Sequence, residues 1–146
     1  MNKFILFFFF CILLNQNLFA SKFEKFSVSC ATERQLETGR KYGYSDKYII
    51  EEWMNDSPYL FDGKNVYIKG WRSGWIKMKM SQKDNKIYWS RYSNALETDM
   101  NSVLYLDKME MTTEYDDEDY VQQKSFCLKN SWNKGVELAN KVAEKK

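Results

Sequence analysis

The strongest constraint on this chain is an alternation of apolar and polar residues with period two, carried through much of its length. Ile76, Met78 and Met80 fall on one side of a strand-like segment, and Trp75, Lys77 and Lys79 on the other. Phe26, Val28 and Cys30 alternate with Ser27 and Ser29. Leu104 and Leu106 oppose Val103 and Tyr105, and Met109, Met111, Thr113 and Tyr115 oppose Glu110, Thr112 and Glu114. Residues 66–69, 86–92 and 120–128 complete the series. Turn chemistry separates these runs: Gly70, 81–85 (SQKDN) and 116–119 (DDED). Strand signals that recur about every 8–15 residues favour an antiparallel meander, here of about six to eight strands. Such a sheet curls or closes into a barrel, because closure removes the edges on which other chains add. The expected fold is mainly β (a β-rich α+β domain) with a short helix before the body of the sheet and a C-terminal helix.

The helical signals are few and local. Residues 32–35 (TERQ) resemble a capping box, but Gly39 follows closely, so one or two turns are expected there. Residues 46–55 (DKYIIEEWMN) pair Ile49 with Trp53 and Ile50 with Met54 at i,i+4, with Ser45 or Asp46 as cap. Pro58 and Asp62-Gly63 then mark a stop and a turn. At the far end Asn130 or Ser131 caps a helix over 132–143, with Trp132, Val136, Ala139 and Ala143 as its apolar stripe. Gly135 weakens that helix by about 1 kcal/mol relative to Ala.

Residues 1–20 read as a secretory signal: Lys3, an unbroken apolar run over 4–14, then Ala20 at a cleavage point before Ser21. As a helix that run spans only about 16 Å against roughly 30 Å of hydrocarbon, too short for a membrane anchor. The expected mature chain is a single domain, 21–146, with no transmembrane segment, exported to the periplasm or the medium. Cys11 leaves with the signal. Cys30 and Cys127 remain, one near each end of the domain, and an isolated pair in an oxidising compartment bridges. Closing a loop of about 100 residues adds up to about 4.7 kcal/mol in the chain-entropy description.

Composition narrows the chemistry. The sequence has no histidine, which removes Ser-His and Cys-His nucleophiles, histidine bases and histidine-ligated metals. There is no nucleophile elbow and no glycine-rich phosphate loop. Glu110 and Glu114 share a strand face but stand about 13 Å apart, beyond the glycosidase range. A non-enzyme without cofactor or metal is expected. The acidic run 116–119 offers oxygen ligands for calcium but lacks the loop spacing for it, so a solvated hairpin loop is the default.

Charge is strongly segregated although the net charge is only +2. Over 64–91 Lys64, Lys69, Arg72, Lys77, Lys79, Lys83, Lys86 and Arg91 face Asp84 alone, and over 97–119 nine acidic residues face Lys108 alone. One reading pairs basic and acidic strands across the sheet, Lys77 and Lys79 against Glu110 and Glu114. The other is a polarised molecule whose basic side attracts an anion. The basic stretch also holds Tyr67, Trp71, Trp75, Tyr88, Trp89 and Tyr92, and aromatics beside cations stack on sugars while holding anionic groups. The candidate binding residues are Lys69, Trp71, Arg72, Trp75 and Lys77, centred on the run WRSGW; against this, Trp71 and Trp75 can simply plug a barrel end.

The leading expectation is a non-catalytic binding module that contacts an anionic glycan, a lipid headgroup or an acidic protein surface; nucleic acid is not expected. Two alternatives stand beside it. One is a carrier of a small apolar ligand inside the barrel, lined by Met78, Met80, Met109 and Met111. The other is a structural envelope protein without ligand. The terminal helix, with Lys141, Lys145 and Lys146, either lies on an anionic membrane or docks on the sheet, the commoner outcome.

Overall fold

A computed structural model describes residues 23–53, 57–70, 74–94, 96–116 and 122–144. The signal-like segment 1–20, Trp71, Arg72 and most of the acidic run 116–119 lie outside the described residues. The chain forms a closed antiparallel barrel in which eight strands follow one another in sequence order. They are β1 (Phe26–Thr32), β2 (Tyr59–Phe61), β3 (Asn65–Gly70), β4 (Gly74–Lys83), β5 (Lys86–Ser93), β6 (Thr98–Tyr105), β7 (Glu110–Tyr115) and β8 (Gln123–Ser131). Closure is made by β1 against β8 over seven register pairs, from Phe26 opposite Ser131 to Thr32 opposite Ser125.

Strand parity follows the sequence alternation. Val28, Phe61, Val66, Met78, Ile87, Trp89, Leu104 and Met111 point inward and form one buried core. Phe26 stacks on Phe61 at 4.9 Å, and Trp89 meets Phe61 edge-on at 5.5 Å and Tyr59 at 5.4 Å. The tryptophan that plugs the barrel is therefore Trp89, whereas Trp75 lies on the outside with 43% of its surface exposed. Cys30 and Cys127 are register partners across the closing strands, with Cα atoms 4.1 Å apart, and they are joined by the disulfide.

Between β1 and β2 the chain makes α1 (Glu33–Lys41) and α2 (Asp46–Tyr48), the latter continuing as a π turn, Ile49–Trp53. The capping box at Thr32 is complete: Thr32 Oγ1 accepts from the Gln35 N–H, and Gln35 Oε1 accepts from the Thr32 N–H. Helix α1 runs further than the glycine suggests, because Gly39 is not a stop. It is a buried contact against Ile49, where a Cβ would collide with that side chain. Leu36, Ile49 and Ile50 form a second small core with Ala31, on the outer side of β1, and Phe126 and Leu128 of β8 pack against it. Arg40 and Asp46 join the two helices through paired 2.7 Å hydrogen bonds.

The last helix, α3 (Trp132–Glu144), packs across β1, β2, β3 and β8, and Ser131 caps it by accepting from the Lys134 N–H. Its buried face shares only Ala139 with the stripe read from the sequence. Gly135, Leu138 and Ala139 are buried, while Trp132, Val136 and Ala143 are half-buried. The rotation arises because Gly135 has no side chain and lets the helix come down directly onto Ser27.

Candidate basic-aromatic groove

The outer face of β3 and β4 is built in full register. Asn65 lies opposite Lys79, Tyr67 opposite Lys77, and Lys69 opposite Trp75. One row of outward side chains thus brings Tyr67, Lys69, Trp75 and Lys77 together, three of them among the five candidate binding residues. The rotation of α3 completes the arrangement. Leu60, Tyr67, Trp75, Trp132 and Val136 line an apolar groove of about 400 Å³ between the barrel wall and the helix.

Several contacts fix its walls. Tyr67 and Trp132 meet edge to face at 5.8 Å. The Lys69 ammonium lies 5.7 Å from the Trp75 ring and donates a 2.7 Å hydrogen bond to Asn140 of α3. Lys25 lies 5.3 Å from the Trp132 ring. Tyr67 is oriented from below: its hydroxyl donates to Asp62 Oδ2 at 2.8 Å, while Asp62 Oδ1 accepts from the Lys64 and Asn65 N–H groups at 2.8 and 2.7 Å. Partial burial alone would raise the Asp62 carboxyl. The hydrogen bonds from Lys64, Tyr67 and Asn65 outweigh it and hold the group down at about 2. The same contact raises the Tyr67 phenol above its ordinary value.

The expected pairing of Lys77 and Lys79 with Glu110 and Glu114 does not occur. In the order β4, β5, β6, β7 the strands of Lys77 and Glu110 are not neighbours. Lys77 and Lys79 oppose Tyr67 and Asn65. Glu110 pairs instead with Lys124 at 3.0 Å, and Glu114 accepts from Gln122 at 2.8 Å. Among the described residues none of Lys69, Lys77 and Lys79 takes part in an ion pair. The positive charge of this face is thus not neutralised by neighbouring strands.

Sequence reasoning missed Trp132 as a member of the groove, and Lys25 as the cation over its ring. It also took Ser-x-x-Lys to be absent, whereas Ser131 and Lys134 have that spacing. There the hydroxyl caps α3 and the ammonium lies 3.4 Å from Glu137, so the pair is a helix start with an ion pair behind it.

The barrel interior contains a separate cavity of about 310 Å³ at the end where α1 begins. Met111 lines it, with Met100, Ile68 and the Cys30 half of the disulfide, but Met78, Met80 and Met109 do not. Polar side chains, among them Arg91, Thr113 and Ser125, make up much of the remaining wall. Among the described residues no group of acidic or thiol side chains is placed to hold a metal ion, and no helix is long and apolar enough to cross a membrane. Compared with known protein families, curated proteins and solved structures, the chain matches none.

Proposed function

We propose that the protein is an exported, non-catalytic binding module that holds an anionic glycan along the groove between β3, β4 and α3. The observation that carries this reading is the open Trp75 ring beside Lys69, continued by Tyr67 and Trp132, on a face whose lysines meet no carboxylate among the described residues. Flat aromatic rings stack on the apolar faces of sugars, and ammonium groups at the rim hold carboxylate, sulfate or phosphate substituents. Lipid headgroups and acidic proteins offer charge but no repeating planar body for two tryptophans. The export reading is supported by the signal-like residues 1–20 and is compatible with the Cys30–Cys127 bridge.

The test is retention on immobilised dextran sulfate, with neutral dextran as background. The Trp75→Ala/Lys69→Gln double variant is expected to lose at least tenfold in affinity. Lys108→Gln, which removes one charge elsewhere, should change it less than twofold. Equal retention of the double variant and wild type rejects the groove as the site. Retention that tracks net charge alone, or binding to anionic vesicles or an acidic protein but not to dextran sulfate, rejects the glycan reading.

A further inference from the structure

The cavity inside the barrel lies on the opposite side of the sheet from the groove. On β5 the inward positions are Ile87, Trp89 and then Arg91, so the alternation that buries two apolar side chains also carries a guanidinium into the interior. Arg91 is half-buried, and it lines the 310 Å³ cavity opposite Met100, its register partner on β6. Among the described residues no carboxylate lines this cavity, and Arg91 takes part in no ion pair. A guanidinium drawn partly out of water without a counter-charge is unfavourable, and its planar fork suits a carboxylate or sulfonate. Around it the walls divide by chemistry. Thr113 and Ser125 supply hydroxyls, and Ile68, Met100 and Met111 supply an apolar surface with adaptable thioethers. The volume stands at the lower end of small-molecule sites, about 300–1,000 Å³.

We propose that this cavity binds a small amphipathic anion, with its acidic head on Arg91 and its apolar body against Ile68, Met100 and Met111. The proposal is independent of the glycan groove. It also differs from an interior carrier of neutral apolar ligands, because the cavity's only described charge is a cation and much of its wall is polar.

The probe is octanoate, measured by calorimetry on the full oxidised chain, with octanol as the uncharged comparison. Octanoate is expected to bind at least tenfold more tightly than octanol. Arg91→Met, which keeps the stem and removes the charge, should weaken octanoate at least tenfold and leave octanol within twofold. Arg91→Lys should recover part of the loss. Trp75→Ala should leave octanoate binding unchanged, which separates this site from the groove. Far-ultraviolet circular dichroism and the thermal midpoint show whether each variant is folded, and Arg91→Lys serves as the reading if Arg91→Met does not fold. Equal affinity for octanoate and octanol, loss of octanoate in Trp75→Ala, undiminished binding in a folded Arg91→Met, or no binding of octanoate by wild type would each overturn the proposal.

Discussion

Gly135 of α3 lies directly on Ser27 of β1, so close that a Cβ at position 135 would overlap the Ser27 Cβ and Oγ atoms. The Ser27 hydroxyl in turn donates a 2.9 Å hydrogen bond to the Ser131 carbonyl, one turn before the glycine. Gly135→Ala therefore sets two effects against each other. Helix propensity favours alanine by about 1 kcal/mol. Overpacking against the buried serine costs about 1–3 kcal/mol, and backbone rather than a flexible side-chain end must give way. The expected outcome is a net loss of up to about 2 kcal/mol, read from the urea midpoint, with Ser27→Gly restoring stability in the Gly135→Ala background. A Gly135→Ala variant more stable than wild type would show that α3 is not in close contact there.

That same contact explains where sequence reading and structure part. Strand parity was legible because it is local: Ile76, Met78, Leu104 and Met111 each declare their side through their immediate neighbours. The buried face of α3 was legible only at Ala139, because an apolar stripe of four residues at helical spacing outweighs a glycine until Ser27 of a strand more than a hundred residues away is brought beneath it. Acid–base pairing failed for a related reason. Pairing in a meander joins strands adjacent in the chain, so a basic block and an acidic block meet only at their shared border, β5 against β6. Arg91 was counted only by its charge in the basic stretch 64–91; the structure puts it on the inner face, two residues on from Trp89. Trp71 and Arg72, central to the basic-aromatic surface read from the sequence, lie outside the described residues.

The Cys30–Cys127 bridge closes a covalent loop across the seam that also closes the barrel. Replacing both cysteines by serine should cost about 2–5 kcal/mol, chiefly through the freedom returned to the unfolded chain. The β1–β8 register pairs should still form in the folded molecule. Urea denaturation with and without reductant tests this: the wild-type midpoint should fall on reduction and the double serine variant should not respond. A wild-type midpoint indifferent to reductant would remove the bridge from the account of stability.

Asp62 links the groove to pH. Its carboxyl is held at about 2 in the fold against an ordinary 3.8. A depressed folded value means that the ionised form is the stabilising one. Its contribution is complete above about pH 4 and is lost as the pH falls through about 2. Asp62→Asn should cost about 1 kcal/mol at neutral pH, a modest figure because the side chain is only half-buried. The gap between variant and wild type should narrow as pH is lowered from 4 to 2. A gap that is constant over that range would show that Asp62 titrates normally and does not orient Tyr67 by its charge.

Trp89 and Trp75 separate stability from binding. Trp89 is 4% exposed and touches the Phe61 and Tyr59 rings inside the barrel, whereas Trp75 is 43% exposed on the outer wall. Trp89→Ala should cost about 3–5 kcal/mol, since it removes the largest side chain of the core and leaves a void that the closed sheet cannot collapse to fill. Trp75→Ala should cost clearly less, because the 43% of its surface left in water contributes no transfer free energy to the fold and its removal leaves no enclosed void. Thermal midpoints of the two variants read the first difference, and dextran sulfate retention reads the second. If Trp75→Ala destabilises the protein as much as Trp89→Ala, the outer tryptophan is holding α3 to the barrel, and the groove is a packing seam rather than a binding surface.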